Sequence, residues 1–234
     1  MARSAILLVG GMGTRLHPLT LETPKPMLPV AGVPFTEHQI LKAREAGIEE
    51  IVLATAFKAE IFKPHFGDGS NFGIKIKYTE QSKPNGLPEA FILGEQFINN
   101  QNIALILGDN FFYGQGFTNR LKEKTNFNSG ATIFTYQVNN PQDYGIVELK
   151  NKKIYAIKEK PKKTNSNLAI TGLYFFDKNV INFSKKLKPS KRGEIEIVDL
   201  LKKYLKQNKL KIEFMGRGSS WMDTGNVESQ IGRA

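Results

Sequence analysis

The stretch AILLVGGMGTRL, residues 5–16, decides the fold of this chain. Its first five residues form an apolar run without polar alternation, which is typical of a strand buried on both faces of a parallel sheet. Gly10, Gly11 and Gly13 follow, and such a turn lets backbone N–H groups approach a phosphate closely. No Gly-Lys-Ser/Thr follows as in a P-loop, and Leu16 occupies the third-glycine position of a dinucleotide fingerprint. The stretch therefore predicts a strand followed by a phosphate-binding turn of another kind.

Outward from this stretch, apolar runs alternate with amphipathic helical stretches. Strands are predicted at residues 51–55, 74–78 and 103–107, and helices at 35–46, 58–65 and 88–99. This β-α-β-α-β order implies a parallel sheet with right-handed crossovers. In the second half, strands are predicted at 131–138, 145–149, 154–158 and 169–176, and helices at 178–187 and 195–206. We therefore expect a single α/β domain over residues 1–234, with helices around a mixed central sheet.

The composition limits the class of protein. Hydrophobic residues make up 40% and charged residues 24% of the 234, which is ordinary for a soluble globular protein. No apolar run approaches the ~18 residues of a membrane span, and the apolar start lacks the basic region and cleavage site of a signal peptide. The absence of cysteine excludes disulfides and thiolate metal sites. We expect a cytoplasmic protein without a membrane partner.

The net charge of +11 is unevenly distributed. Residues 150–234 contain 20 basic and 8 acidic residues, against 13 and 14 in residues 1–149. A nucleic-acid surface is one interpretation, and a solvated lysine-rich face is the other. The second is favoured because the lysines lie in helix-like or turn-like stretches without interleaved aromatic residues for base stacking. We therefore expect no nucleic-acid partner, although a mild attraction for phosphorylated substrates is a further interpretation.

Two cations and two carboxylates accompany the glycine turn. Arg15 and Lys25 would bring positive charge to a triphosphate. Asp109 follows the strand at 103–107, where open α/β sheets bind ligands, and Asp223 stands beside the only tryptophan, Trp221. Carboxylates suit Mg²⁺, a hard cation that also takes phosphate oxygens. Considered singly, Arg15 and Lys25 could instead be surface cations, and Asp109 could cap a turn.

The longer motif resembles a known family. Residues 10–20 read G-G-x-G-T-R-L-x-P-L-T and residues 24–29 read P-K-P-M-L-P, which resembles the signature of the sugar nucleotidyltransferases. Stretches at 86–87, 108–114, 144–145, 159–161, 171–174 and 193–196 resemble the glucose-1-phosphate thymidylyltransferase branch. The resemblance implies a Rossmann-like, three-layer nucleotide-diphospho-sugar transferase fold. It also implies transfer of a nucleotidyl group from a nucleoside triphosphate to a hexose 1-phosphate, with release of pyrophosphate. The favoured substrates are dTTP and glucose 1-phosphate.

The same resemblance assigns residues to the two substrates, with residues 1–115 as the nucleotide-binding half and 116–234 as the sugar-phosphate-binding half. The nucleotide would be bound by Gly10, Gly11, Gly13, Thr14, Arg15, Gly86, Glu89 and Asp109. The sugar phosphate would be bound by Tyr144, Gly145, Glu159, Lys160, Thr171, Tyr174 and Trp221. The catalytic residues would be Arg15, Lys25 and Asp109, with Mg²⁺ on Asp109 and Asp223.

Some features depart from the thymidylyltransferase pattern. Up to about Glu80 the sequence is more similar to mannose-1-phosphate guanylyltransferases, and Pro26 and Glu89 replace glutamines associated with the base. An ionised carboxylate only accepts hydrogen bonds, so Glu89 would weaken selectivity for thymine and tolerate guanine. Alternatively, Glu89 points to solvent in the first turn of a helix.

Other functions also stay open: a guanylyltransferase, or a non-catalytic relative that senses nucleotide sugars. The branch carries C-terminal helices that build subunit contacts and a regulatory nucleotide site, and this chain stops soon after Asp223. A homo-oligomer and feedback control are therefore left open.

Overall fold

The computed structural model describes residues 2–11, 13–83, 85–98, 100–216 and 218–224. Asn99, the expected last residue of one helix, and Gly225, two positions after Asp223, lie outside these residues. Within the described part of the chain, no helix is both long and apolar enough to cross a membrane.

The described residues contain thirteen strands and seven α-helices, which include every predicted strand and five strands that were not predicted. The strands are β1 (Ser4–Leu8), β2 (Pro29–Val30), β3 (Val33–Pro34), β4 (Glu50–Thr55), β5 (Lys75–Glu80), β6 (Ile103–Leu107), β7 (Asn110–Gly114), β8 (Ala131–Gln137), β9 (Gly145–Lys150), β10 (Lys153–Glu159), β11 (Leu168–Phe176), β12 (Leu210–Phe214) and β13 (Ser219–Asp223). The helices are α1 (Phe35–Glu45), α2 (Phe62–Phe66), α3 (Glu89–Leu93), α4 (Glu95–Ile98), α5 (Phe117–Thr125), α6 (Val180–Lys185) and α7 (Ile197–Lys206).

Nine of the strands form one mixed sheet, which confirms the expected sheet type. Its main path runs β10-β9-β11-β6-β1-β4-β5, and β8 pairs with β11 and β12. The strands β1, β4, β5 and β6 are parallel, whereas β11 runs antiparallel to β6. The sheet therefore continues from the first half of the chain into the second without interruption.

Helices cover both faces of this sheet, so the three-layer arrangement is confirmed. Ala5 and Leu7 of β1 pack into one core cluster with α1, α2 and α5, whereas Ile6 packs into another with α3, α4, α6 and α7. This alternation follows from the two-residue period of a strand. Because all three side chains are fully buried, the strand has no polar face, as its unbroken apolar run predicts.

The strands β2, β3, β7, β12 and β13 were not predicted, and three helical features also differ from the predictions. The helix expected over 88–99 is divided at Gly94, where a Cβ would lie 3.0 Å from the carbonyl oxygen of Ala90 and 3.3 Å from Ile6. The helix expected over 58–65 is a 3₁₀ turn followed by α2. The helix α5 was not predicted, because its nine residues are mostly polar and bury only Phe117, Leu121 and Thr125.

The order of the parallel strands creates a crevice at one edge of the sheet. From β1 the chain proceeds outward to β4 and β5, then crosses back to β6 on the other side of β1. The loops after β1 and β6 therefore leave in opposite directions, which is where open α/β sheets bind ligands. The N–H of Gly108, just after β6, donates to the carbonyl oxygen of Leu8 at 2.7 Å, so the two strand ends stay together.

Candidate active site

The glycine turn after β1 is a packed structure with one open face. Gly13 adopts a φ of 64°, and a Cβ there would lie 3.0 Å from the side chain of Thr20 and 3.1 Å from that of Lys25. The Thr20 hydroxyl donates to the Gly13 carbonyl oxygen at 2.7 Å. A Cβ on Gly11, by contrast, would meet no heavy atom within 4 Å. Gly11 therefore leaves open space beside the crevice.

A lysine and an aspartate meet across this crevice. Lys25 is only 7% exposed, and its Nζ lies 3.0 Å from Oδ2 of Asp109. The other carboxylate oxygen of Asp109 accepts a hydrogen bond of 2.7 Å from the Asn110 amide. Two of the three predicted catalytic residues are thus in direct contact, 84 positions apart in the sequence.

The third predicted catalytic residue lies on the 3₁₀ turn Thr14–Leu16. Thr14 and Arg15 are both exposed, whereas Leu16 is buried and anchors the turn. Within the described residues, no ion pair or hydrogen bond holds the guanidinium of Arg15. This cation is therefore accessible beside the glycine turn.

Asn110 is a residue of the candidate site to which the sequence analysis gave no role. Its side chain is buried, and its Oδ1 accepts hydrogen bonds from Trp221 Nε1 at 2.5 Å and from the Gly172 N–H at 2.9 Å. Its Nδ2 donates to Asp109. Asn110 therefore connects the candidate catalytic carboxylate to β11 and β13. Its position directly after Asp109 was the only signal in the sequence.

The second predicted metal ligand lies on the strand next to Asn110. β13 pairs antiparallel with β7 and places Asp223 opposite Asn110, while Thr224 donates twice to the carbonyl oxygen of Asp109, at 2.8 and 2.9 Å. No group of three or more acidic or imidazole side chains that could hold a metal occurs in the described part of the chain. The carboxylates of Asp109 and Asp223 are hard oxygen donors, the type of ligand that a divalent cation takes together with substrate phosphates and water.

Gly172 is required by its close approach to Asn110. The pairing of β11 with β8 shifts register between Ile170 and Tyr174, and this irregularity brings Gly172 against Asn110. A Cβ on Gly172 would lie only 2.5 Å from Cγ of Asn110. Thr171 beside it is 1% exposed and donates its hydroxyl to the Phe134 carbonyl oxygen at 3.0 Å.

Gly172→Ala should displace Asn110 and with it Asp109. We expect a loss of about 1–3 kcal/mol in the free energy of unfolding, as for other overpacked sites, together with a loss of activity. Urea denaturation followed by circular dichroism measures the first effect. Gly216→Ala is the control, because a Cβ on Gly216 would meet open space. Equal stability of the two variants would contradict the close approach.

Four residues of the predicted sugar-phosphate site lie together at the ends of β9 and β10. Gly145 is the ladder partner of Glu159, and a Cβ on Gly145 would lie 3.5 Å from Oε2 of Glu159. The N–H of the exposed Lys160 donates to the carbonyl oxygen of Tyr144 at 3.0 Å. The ring of Tyr144 lies 5.3 Å from that of Trp221, centroid to centroid. The cluster is therefore linked through Trp221 to Asn110.

Glu159 has an unusual electrostatic environment. Burial raises the pKa of its carboxyl group, and the negative charge of Glu196 adds to this, while Lys160 and Arg192 oppose it. The Arg192 guanidinium lies 3.9 Å from Glu159 and 3.8 Å from Glu196. The sequence analysis missed Arg192, although it directly precedes Gly193 in one of the matching stretches.

Glu159→Gln should raise the melting temperature at neutral pH. Because the folded-state pKa of Glu159 is raised, its contribution to stability is fully present below its unfolded-state pKa and is lost as the pH rises through the folded value. The neutral amide does not suffer this loss. Scanning calorimetry from pH 4 to pH 8 should therefore show an advantage of the variant that grows with pH. An advantage that is independent of pH would contradict the raised pKa.

Tyr174 lies in the hydrophobic core and not at the surface of the predicted sugar-phosphate site. It is 3% exposed and its ring stacks on that of Phe176. Burial raises the pKa of its hydroxyl far above the usual range, and the negative charges of Glu159 and Asp109 act in the same direction. Tyr174 therefore stays protonated and packs in the core between the two predicted substrate sites.

The remaining predicted nucleotide residues are Gly86, in the loop between β5 and α3, and Glu89, the first residue of α3. Gly86 has a φ of 101°, and a Cβ there would lie 2.1 Å from the carbonyl oxygen of Ile195. The two carboxylate oxygens of Glu89 accept hydrogen bonds from Gln81 Nε2 at 2.5 Å and Asn85 Nδ2 at 2.6 Å. Glu89 therefore faces two amide side chains rather than solvent.

Comparisons with known proteins show the family to which this chain belongs. Residues 4–232 match the family model described as nucleotidyl transferase. A glucose-1-phosphate thymidylyltransferase of Neisseria meningitidis is 48% identical over 96% of this chain and 78% of the relative, and one of Mycolicibacterium smegmatis is 43% identical over 97% and 79%.

Two solved structures are similar in fold. A Bacillus anthracis protein assigned as a glucose-1-phosphate thymidylyltransferase and solved with sucrose superimposes with a TM-score of 0.89 at 36% identity, over 97% of this chain and 92% of that one. A UDP-glucose pyrophosphorylase solved with UDP-glucose gives a TM-score of 0.87 over 99% and 97%, and at 24% identity it supports the fold alone. The chain therefore belongs to the nucleotidyl transferase family and is a sugar-1-phosphate nucleotidyltransferase.

Proposed function

We propose that this enzyme transfers a thymidylyl group from dTTP to glucose 1-phosphate and releases pyrophosphate. The observation that carries the proposal is the contact between Lys25 and Asp109 in the crevice beside the glycine turn. It places a buried cation and a carboxylate where an α/β sheet binds a nucleotide. The relatives that are 48% and 43% identical carry the same activity in their names.

The nucleotide binds to residues 1–115 in this proposal. The open face of the glycine turn admits the phosphates, and the exposed Arg15 and buried Lys25 supply positive charge. Asp109 and Asp223 would hold Mg²⁺, which would supply charge stabilisation at the α-phosphate when bound. The residues assigned to the nucleotide are Gly10, Gly11, Gly13, Thr14, Arg15, Gly86, Glu89 and Asp109.

The sugar phosphate binds to residues 116–234. Lys160 at the end of β10 orients its phosphate, and the nearby guanidinium of Arg192 adds a second cation. Gly145 faces Glu159, and a Cβ on Gly145 would lie 3.3 Å from Val198 and 3.5 Å from Glu159, so the glycine lets the start of β9 approach these residues closely. Tyr144, Thr171, Tyr174 and Trp221 shape the site around these residues.

The chemistry is a single displacement at phosphorus. A phosphate oxygen of glucose 1-phosphate forms a bond to the α-phosphorus of dTTP, and the bond from that phosphorus to the bridging oxygen of the β-phosphate breaks. Pyrophosphate leaves with the bonding electrons, and Arg15 and Lys25 stabilise its charge. No general base is needed because the sugar phosphate is ionised at neutral pH. We place this reaction in the cytoplasm, without nucleic acid or a membrane, and leave a homo-oligomer open.

A pyrophosphate-release assay with Mg²⁺ tests the proposal. It compares dTTP, UTP and GTP, each with glucose 1-phosphate and mannose 1-phosphate. We expect the highest kcat/KM with dTTP and glucose 1-phosphate. Highest release with GTP and mannose 1-phosphate would replace the proposal with a guanylyltransferase. No release by folded protein would favour a sensing relative.

A further inference from the structure

The helix α1 reaches the segment that carries Asp109 through one glutamine. Gln39 lies in the middle of α1 and is 7% exposed. Its Nε2 donates to the carbonyl oxygen of Leu107 at 2.8 Å and to that of Asn110 at 3.0 Å, so both amide hydrogens are used. These two carbonyl groups stand at either end of Gly108 and Asp109. The amide of Gln39 therefore bridges the two-residue turn between β6 and β7.

The oxygen of this amide has no partner. Within the described residues, Oε1 of Gln39 is buried and accepts no hydrogen bond. A buried acceptor without a donor costs free energy, so such a group calls for an explanation. Rotation of the amide by half a turn would not remove the cost, because it would place Oε1 against the carbonyl oxygens of Leu107 and Asn110. The amide therefore holds the turn at the expense of its own oxygen.

The same face of α1 also holds the segment that carries Lys25. Thr36 precedes Gln39 by three positions, and residues at this spacing are neighbours on a helix surface. Thr36 is fully buried, and its hydroxyl donates to the carbonyl oxygen of Pro26 at 2.8 Å. One helix face therefore supports both partners of the contact between Lys25 and Asp109.

Two other contacts hold the turn, one from β1 and one from the end of β13. The Gly108 N–H donates to the Leu8 carbonyl oxygen at 2.7 Å, and the Asp109 carbonyl oxygen accepts from the Thr224 hydroxyl at 2.8 Å. Gln39 adds support from the helix layer. Because the Asp109 side chain is 38% exposed, the place of its carboxylate depends more on the backbone of the turn than on packing around the side chain.

We propose that Gln39 is a positioning residue for nucleotidyl transfer: from α1 it sets the place of the Asp109 carboxylate in the crevice relative to Lys25. The inference rests on the proposed function, in which Asp109 takes part in the reaction. Gln39 itself contacts neither substrate and acts only through the turn. Misplacement of a reacting group by about 1 Å lowers turnover by up to about 10²-fold. Loss of the amide should therefore lower kcat rather than weaken substrate binding.

Gln39→Met tests the proposal, because methionine has a similar length and an adaptable side chain but no amide. Pyrophosphate release is measured with the nucleotide and the sugar phosphate that the wild-type protein prefers. We expect kcat to fall about 10- to 100-fold, while KM for each substrate stays within about threefold of the wild-type value. If Gln39→Met does not fold, Gln39→Leu removes the same amide.

Ile40→Val is the matched control on the same helix. Ile40 is fully buried, so loss of one methyl group destabilises α1 but removes no hydrogen bond. The melting temperatures of both variants are compared by circular dichroism. We expect Ile40→Val to keep the wild-type kcat, even where its melting temperature falls as far as that of Gln39→Met.

A double-mutant cycle separates positioning from a general loss of stability. In an Asp109→Asn background, Gln39→Met should change kcat by less than about twofold, because the carboxylate that it positions is gone. A kcat of Gln39→Met equal to that of Ile40→Val, or an undiminished loss in the Asp109→Asn background, would overturn this proposal alone. Wild-type turnover by Asp109→Asn would reject the assigned role of Asp109 in the proposed function, and the inference with it.

Discussion

Replacement of Asp109 by asparagine should lower kcat by about 10³-fold, at the upper end of what one preorganised charge-stabilising group contributes. The carboxylate lies in the crevice between β1 and β6, is 38% exposed and contacts Lys25 and Asn110. Asparagine keeps the shape of the side chain but removes its negative charge. We assign that charge to the binding of Mg²⁺ and to the electrostatic environment of the reacting phosphates. Pyrophosphate release under saturating substrates measures the effect.

The fold should survive this change, because Asp109 is partly exposed and its backbone stays tied to Thr224. Circular dichroism and the melting temperature provide that control. Asp68→Asn tests the chemistry of the substitution itself, since Asp68 is an exposed turn residue that accepts a hydrogen bond from the Ser70 N–H. Turnover by Asp109→Asn within threefold of that by Asp68→Asn would remove Asp109 from the metal and catalytic roles.

Replacement of Lys25 by methionine should lower kcat/KM by about 10²-fold, because a fixed charge near the leaving phosphates is lost from a water-poor position. The lysine is 7% exposed, so its apolar stem is packed and methionine should keep much of that packing. The effects of Lys25→Met and Asp109→Asn should not be additive, because the two side chains contact each other at 3.0 Å.

Lys42→Met is the matched control for Lys25. The Lys42 side chain is 43% exposed, and its ammonium pairs with Glu45 on the surface of α1. Exposed pairs of this kind contribute about 0–1 kcal/mol, so both activity and stability should change little. Equal activity of the Lys25→Met and Lys42→Met variants, both folded, would show that Lys25 serves the structure rather than the reaction.

Local sequence patterns predicted the part of the site that lies next to the parallel strands. An unbroken apolar run predicts β1, and three glycines after it predict a tight turn, because both properties are local. The contact between Lys25 and Asp109 was foreseeable in kind, since both were assigned to one nucleotide site. The burial of Lys25 could not be predicted from the sequence, because it depends on packing around Gly13 and Thr20.

The features that the sequence did not predict depend on pairings between distant segments. Asn110 meets Trp221 across 111 positions, through the pairing of β7 with β13, and it meets Gly172 through a register shift in β11. No periodicity in either segment encodes these contacts. Glu89 was identified as a departure from the family pattern, but its link to Gln81 required the loop geometry.

The stereochemical course at phosphorus tests the central claim most directly. The Sp isomer of dTTP with sulfur on the α-phosphate is incubated with glucose 1-phosphate and Mg²⁺, and the configuration of the sulfur-containing nucleotide sugar is determined by ³¹P NMR. The account predicts inversion, because the sugar phosphate displaces pyrophosphate in one in-line step. Retention would require a covalent nucleotidyl-enzyme intermediate and would contradict the assignment of Arg15, Lys25 and Asp109 to binding and charge stabilisation alone.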